Sequence, residues 1–102
     1  MQFLVLAFDQ LDEAAAVRRR EARAAHIEGV RALRKEGRFR DGGALLDTEG
    51  RVIGSALLLD FSTRGELERC LASDPYQTNQ VWGAVTVHRA SFFKASSEDG
   101  TQ

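Results

Sequence analysis

Residues 2–8, Gln-Phe-Leu-Val-Leu-Ala-Phe, are apolar on both alternating sets of side chains. Successive side chains of a strand point to opposite faces, so a strand of this composition must be covered on both. The pattern returns at Val52-Ile53 and at Ala56-Leu57-Leu58-Leu59. A chain of 102 residues is one domain with room for a single modest core. Covering both faces of two such strands with its own helices is therefore a severe requirement.

The segments between supply those helices. Residues 13–36 are rich in Ala, Arg, Glu and Leu, which are good helix formers. Asp12 is the expected N-cap and Gly37 the C′ glycine. Ala14-Ala15-Ala16 and Arg18-Arg19-Arg20 give the first half a weak core face, compatible with a late start or a bend. Residues 39–47 and 51–61 read as strands joined by a tight turn at Thr48-Glu49-Gly50, with Gly50 at φ > 0. Gly42-Gly43 marks a bulge or a close backbone approach. Thr63-x-x-Glu66 is a capping box for a second helix with Leu67, Cys70 and Leu71 on one face. Pro75 stops that helix and drives Asp74 out of the helical region. Residues 76–81 read as a connection, 82–93 as the last strand and 94–102 as a disordered tail.

The domain, residues 1–93, is thus expected to be βαββαβ, a ferredoxin-like α+β fold. It has a four-stranded antiparallel sheet with two helices on one face. The uncovered face then requires a second sheet, which predicts a homodimer packed sheet to sheet, a dimeric α/β barrel. Which apolar set meets the partner is left open by the pattern.

Several function classes drop out. A net charge of −1 offers nucleic acid no bulk attraction. No apolar run approaches the ~20 residues of a membrane span, and the N-terminus runs straight into a strand pattern, which reads as cytoplasmic. Cys70 is the single cysteine, excluding an internal disulfide and a Cys-based zinc site. Asp47, Glu49 and Asp60 lack a His partner, so no metal site is expected, and Gly42-Gly43 lacks a phosphate-loop context. The arginines at 18–20 and 23 interleave with Glu13, Glu21 and Glu28, as on a solvated face with ion pairs. His88 reads as a dimer-face or edge residue and Cys70 as inert packing.

One pair of residues stands out. At 100° per residue, Ala15, Ala22, Val30 and Leu33 fall within about 40° of His26, on an apolar stripe flanked by Arg19 and Arg23. In this topology the first helix begins at the end of the sheet where the second finishes, so His26 and Asp74 can meet. A carboxylate on one imidazole nitrogen fixes the tautomer and leaves the other free to move a proton. Asp74 follows a helix C-terminus, which repels anions, and so needs a partner such as His26 or Arg23. The competing reading is a satisfied core histidine and an Asp-Pro stop signal.

Arg23-x-x-His26, the Gly-Gly strand and Asp74-Pro75-Tyr76 resemble the YciI-like (YCII-related) family of dimeric α/β-barrel proteins. The opening Phe3-Leu4-Val5-Leu6, Glu36-Gly37-Arg38 and the closing strand fit as well, over roughly residues 2–93. Two positions depart from the family pattern: its Arg-Pro-Ala-His reads Arg23-Ala24-Ala25-His26, and its Gly-Pro reads Gly42-Gly43. The resemblance implies a His26–Asp74 catalytic pair, with Arg23 and Tyr76 as substrate-binding residues. It implies cofactor-independent acid–base chemistry, lyase- or isomerase-like, on a small organic molecule. A non-catalytic dimeric module that binds a small metabolite, or serves in stress, is the alternative. Oxygen chemistry on a quinol-like substrate ranks third.

Overall fold

The double-sided apolar strand, β1 (Gln2–Asp9), lies inside a four-stranded sheet of order β2-β3-β1-β4. It pairs antiparallel with β3 (Val52–Asp60) and β4 (Trp82–Ala90), and β2 (Phe39–Leu46) adds to the far edge of β3. The computed structural model describes residues 1–93. The expected tail, 94–102, lies outside the described residues. Among the described residues no helix is long and apolar enough to cross a membrane.

The register settles which apolar set is internal. Phe3 pairs with Leu59 and Val5 with Leu57, and these four, with Ala7, are buried against Ala22, Leu67, Leu71 and Tyr76 from the helical layer. Leu4 pairs with Leu58 and Leu6 with Ala56 on the opposite face. There Leu4, Leu6 and Ala56 are partly exposed, Leu58 is buried beside them, and Phe8 is exposed.

Helix α1 (Ala15–Lys35) starts later than residue 13, and Asp12 does not cap it with its side chain. The Asp12 carbonyl accepts from Ala15 N–H at 3.2 Å, while its carboxylate takes both Nη atoms of Arg18 at 2.7 Å. A bidentate guanidinium contact outcompetes one backbone N–H for the same oxygens. The helix ends as expected. Gly37, at φ +75°, donates to the Arg34 carbonyl at 3.0 Å and Arg38 to the Leu33 carbonyl at 2.9 Å, a Schellman motif.

Helix α2 (Arg64–Ser73) begins with the Thr63 hydroxyl accepting from Glu66 N–H at 3.2 Å. Only half of the capping box forms, because the Glu66 carboxylate turns to Arg38, 3.5 Å away. Asp74 leaves the helical region at φ −63°, ψ 134°, as a residue before proline should. The stretch after it is more than a connection: Pro75–Thr78 form a short helix, α3, with proline at its first turn. Strand β4 ends at Ala90, short of residue 93.

At two positions in the sheet the backbone leaves no room for a Cβ. A shift of register falls between Phe39 and Asp41, and a Cβ on the next residue, Gly42, would sit 2.7 Å from the Ala56 carbonyl oxygen. A Cβ on Gly54 would meet the Ala7 carbonyl oxygen at 2.3 Å, backbone against backbone. Gly43 has nothing within 4 Å. Gly54→Ala is therefore expected to lose roughly 2–3 kcal/mol in urea unfolding, whereas Gly43→Ala stays within about 0.5 kcal/mol of the parent.

Candidate functional site

His26 lies three turns into α1, on the buried face that also carries Ala22 and Ala15. Its ring is 6 % exposed. Nδ1 lies 2.9 Å and 3.0 Å from the two Asp74 carboxylate oxygens. A carboxylate only accepts, so Nδ1 carries the hydrogen, and in the neutral tautomer the lone pair is on Nε2. Asp74 Oδ1 also accepts from Tyr76 N–H at 2.8 Å, capping α3. One carboxylate thus closes a helix N-terminus and orients the imidazole.

The ring is held on its faces as well. Tyr76 stacks on it with centroids 4.0 Å apart and planes 13° from parallel, and Trp82 meets it edge-on at 6.1 Å. The Arg19 guanidinium covers the Tyr76 ring at 4.6 Å. Arg19 is itself anchored. Its Nη1 donates to Asp9 at 2.7 and 2.9 Å, and its Nη2 to the Gly54 carbonyl at 3.1 Å and Ser55 Oγ at 2.9 Å.

Beside the pair a cleft of about 390 Å³ opens between α1 and the β2–β3 half of the sheet. Ile27, Val30, Phe39, Val52 and Leu57 form its apolar walls; His26, Tyr76, Ser55, Arg20 and Arg23 bring polar groups to it. No side-chain nitrogen or oxygen of the described residues is both buried and without a partner. His26 Nε2 and the Tyr76 hydroxyl have no protein partner among the described residues, so solvent reaches both, and the cleft they line is the way in. Burial, the largest cause, raises the Tyr76 pKa above its ordinary value against the opposing pull of Arg19 and Arg23. The phenol therefore stays a hydrogen-bond donor through neutral pH.

The arginine cluster departs from the expected solvated face. Arg18 pairs with Asp12 and Arg19 with Asp9, not with Glu13, Glu21 or Glu28. Arg20 and Arg23 make no ion pair among the described residues and stand exposed at the cleft. Thus His26 and Asp74 are in direct contact, Tyr76 stacks on the pair, and Arg23 lines the same cleft without touching it. Sequence reasoning passed over Arg19, Ser55, Trp82 and Asp9. A signal for Ser55 existed: it is the one polar residue on the inward register of a strand otherwise apolar from Val52 to Leu59. Among the described residues no cluster of three His, Cys, Asp or Glu side chains could hold a metal. Cys70 packs half-buried against the core, and burial, followed by the Asp74 charge, raises its thiol pKa.

Sheet order, antiparallel pairing and helices define a ferredoxin-like α+β protein. The chain belongs to the YCII-related family, whose domain model matches residues 1–91. No curated protein matches its sequence. Among solved structures it is similar to 5-chloro-2-hydroxyhydroquinone dehydrochlorinase (TftG) from Burkholderia phenoliruptrix AC1100, seen in complex with 2,5-dihydroxybenzoquinone. That likeness has a TM-score of 0.78 at 23% identity, over 89% of this chain and 94% of that one. Rv0793 from Mycobacterium tuberculosis gives 0.49 at 18% identity over 93% of this chain and 97% of that one. A conserved protein from Methanosarcina mazei Go1 gives 0.42 at 14% identity over 89% and 94%.

Tyr76 is the only tyrosine, so phenolate absorbance reports it alone. Its folded pKa is raised, so its burial costs no stability below the ordinary tyrosine value of 10.0, and stability is lost as pH rises through the folded value. Ultraviolet titration should show ionisation above the value of the urea-unfolded chain. Coincident folded and unfolded titrations contradict this.

Proposed function

We propose that this protein is a cytoplasmic, cofactor-independent acid–base enzyme, lyase- or isomerase-like, acting on a small oxygenated organic molecule in the cleft. One observation carries the reading: His26 is held by Asp74 through Nδ1, has no partner on Nε2 among the described residues, and lines a cleft that also presents a phenol and two arginines without an ion pair among those residues. His26 Nε2 takes a proton beside a carbonyl group. Electron density then moves onto the carbonyl oxygen as an enolate. In elimination a leaving group departs from the neighbouring carbon with its electron pair; in isomerisation the proton returns at another atom. Neither course changes the overall oxidation state, so no redox partner is required.

The other residues follow from that charge flow. Asp74 stabilises the imidazolium formed when Nε2 is protonated. Arg23 holds an anionic group of the substrate, and Tyr76 donates to a substrate oxygen. The similarity to an enzyme named a dehydrochlorinase supports the elimination branch, and its quinone ligand supports an oxygenated ring as the substrate class. Small carboxylates, lactones and chlorinated hydroquinones screened against the parent and His26→Gln test it. The variant should fold normally and lose at least about a hundredfold in kcat. Unchanged turnover removes His26 from the mechanism. A chain that binds ligands of the screen but turns none over is the non-catalytic binding module.

We further propose a homodimer through the outer sheet face of Leu4, Leu6, Ala56 and Leu58, bordered by Phe8, 42 % exposed, and Phe92, 46 % exposed. Soluble monomers rarely leave a contiguous apolar patch of this kind to water. Burying about 800 Å² per protomer gives roughly 20 kcal/mol of gross apolar gain, against about 4–15 kcal/mol for association. Sedimentation at micromolar concentration should give a dimer, and Leu6→Lys a monomer, an aggregate or an unfolded chain. A well-folded 11.3 kDa parent monomer rules the dimer out.

A further inference from the structure

Ser55 lies on β3, is 2 % exposed and lines the cleft. Two donors converge on its oxygen: Arg19 Nη2 at 2.9 Å and Trp82 Nε1 at 3.1 Å. Neither donor has a proton-accepting mode, so Ser55 Oγ must be the acceptor in both bonds. Both lone pairs of a hydroxyl oxygen are then engaged, and its single proton is left for the remaining tetrahedral direction. No acceptor for that proton exists among the described residues, although Asp9 is bonded to the same Arg19. A buried hydroxyl with its donor unspent is uncommon, because the unmade bond costs free energy.

We propose that Ser55 is a ligand-binding residue that donates to a partly or fully anionic oxygen of the molecule in the cleft, of enolate or phenolate class. The inference rests on the cleft being the ligand site, as in the reading above. Its chemical logic is polarisation. A hydroxyl that accepts from a guanidinium and an indole becomes a stronger donor, since bonds in a chain reinforce one another. Arg19 cannot serve as the anion holder itself: its charge is matched by Asp9 at 2.7 Å. It transmits its positive character through the hydroxyl instead. The two donors also fix the proton's direction, so Ser55 needs no reorganisation when charge builds on the ligand oxygen. Arg20 and Arg23, which make no ion pair among the described residues and line the same cleft, suit a second anionic group on the same ligand.

The probe is p-nitrophenolate, at a pH where it is ionised. Trp82 is the only tryptophan, so its fluorescence quenching reports occupancy of the cleft. The visible band of the bound probe reports hydrogen bonding to its oxygen. Parent protein should bind, with the band shifted to shorter wavelength. Ser55→Ala should bind about tenfold more weakly or worse, with the band moved back, and Ser55→Thr should restore most of both. A merely structural serine predicts a lower melting temperature but an unmoved bound band. If Ser55→Ala does not fold, Ser55→Cys, close in shape but a weak donor, must show the same loss. Binding by Ser55→Ala within about twofold of the parent and with the same band overturns the assignment while leaving the His26–Asp74 reading intact. No binding by the parent overturns the assignment and the anion-binding cleft together.

Discussion

One guanidinium group ties the site to the fold. Arg19 reaches from α1 to Asp9 at the end of β1, to Gly54 and Ser55 on β3, and over the ring of Tyr76 on α3. The side chains of Arg19 and Asp9 are only 15% and 11% exposed. A pair so far removed from water is tolerable only when its remaining hydrogen-bonding capacity is used. Here it is used on one carbonyl and one hydroxyl of the same strand. The consequence is positional. Once Arg19 is fixed, α1 can neither slide along the sheet nor roll on it. His26, two helical turns further on and on the same face, is delivered to the same depth.

Asp74 shows how backbone chemistry and site chemistry converge on one residue. A carboxylate just past the end of α2 faces the negative end of that helix and is disfavoured there. Pro75 resolves the conflict by two effects. It holds Asp74 extended, and its fixed φ and missing N–H start a new helix at once. The carboxylate then caps α3 through Tyr76 N–H and still reaches His26 with both oxygens. Tyr76, positioned by that same helical turn, stacks on the imidazole it helps to orient. Three consecutive residues thus set the carboxylate, the helix start and the stacking ring.

Much of this could be read from the chain. The strand order follows from the alternating patterns, and Gly37, Gly50, Thr63 and Pro75 mark ends that the structure reproduces. The topology allows His26 and Asp74, 48 residues apart, to meet, and the family resemblance implies the same pair. What stayed hidden depends on competition between side chains for one partner. Asp12 reads as an N-cap until Arg18 is seen to occupy its carboxylate. Helical spacing pairs Arg20 and Arg23 with nearby glutamates, whereas the nearest bend of the sheet and loops puts the aspartates at 9 and 12 within reach of Arg18 and Arg19 instead. Ser55 is plain as a polar interruption, but its role comes from an indole 27 residues away and an arginine 36 away. Helix α3 is a single turn, too short for any periodicity to announce it.

The cleft has a graded polarity that accounts for the two arginines at its rim, which make no ion pair among the described residues. Like charges three residues apart on one helix repel, and burying either would be costly, so Arg20 and Arg23 remain at the exposed rim. Between rim and floor the walls are Ile27, Val30, Phe39, Val52 and Leu57, which exclude water but offer no hydrogen bonds. On the inner side lie the hydrogen-bonding groups of His26, Tyr76 and Ser55, whose strength grows as water leaves. The ligand class proposed above would keep its charge near the guanidinium groups of this gradient and place a less polar ring between the walls. On the proposed reading, the reacting atoms would lie against groups already held in place by Asp74, Arg19 and Trp82, so little of the binding energy would be spent on organising the protein.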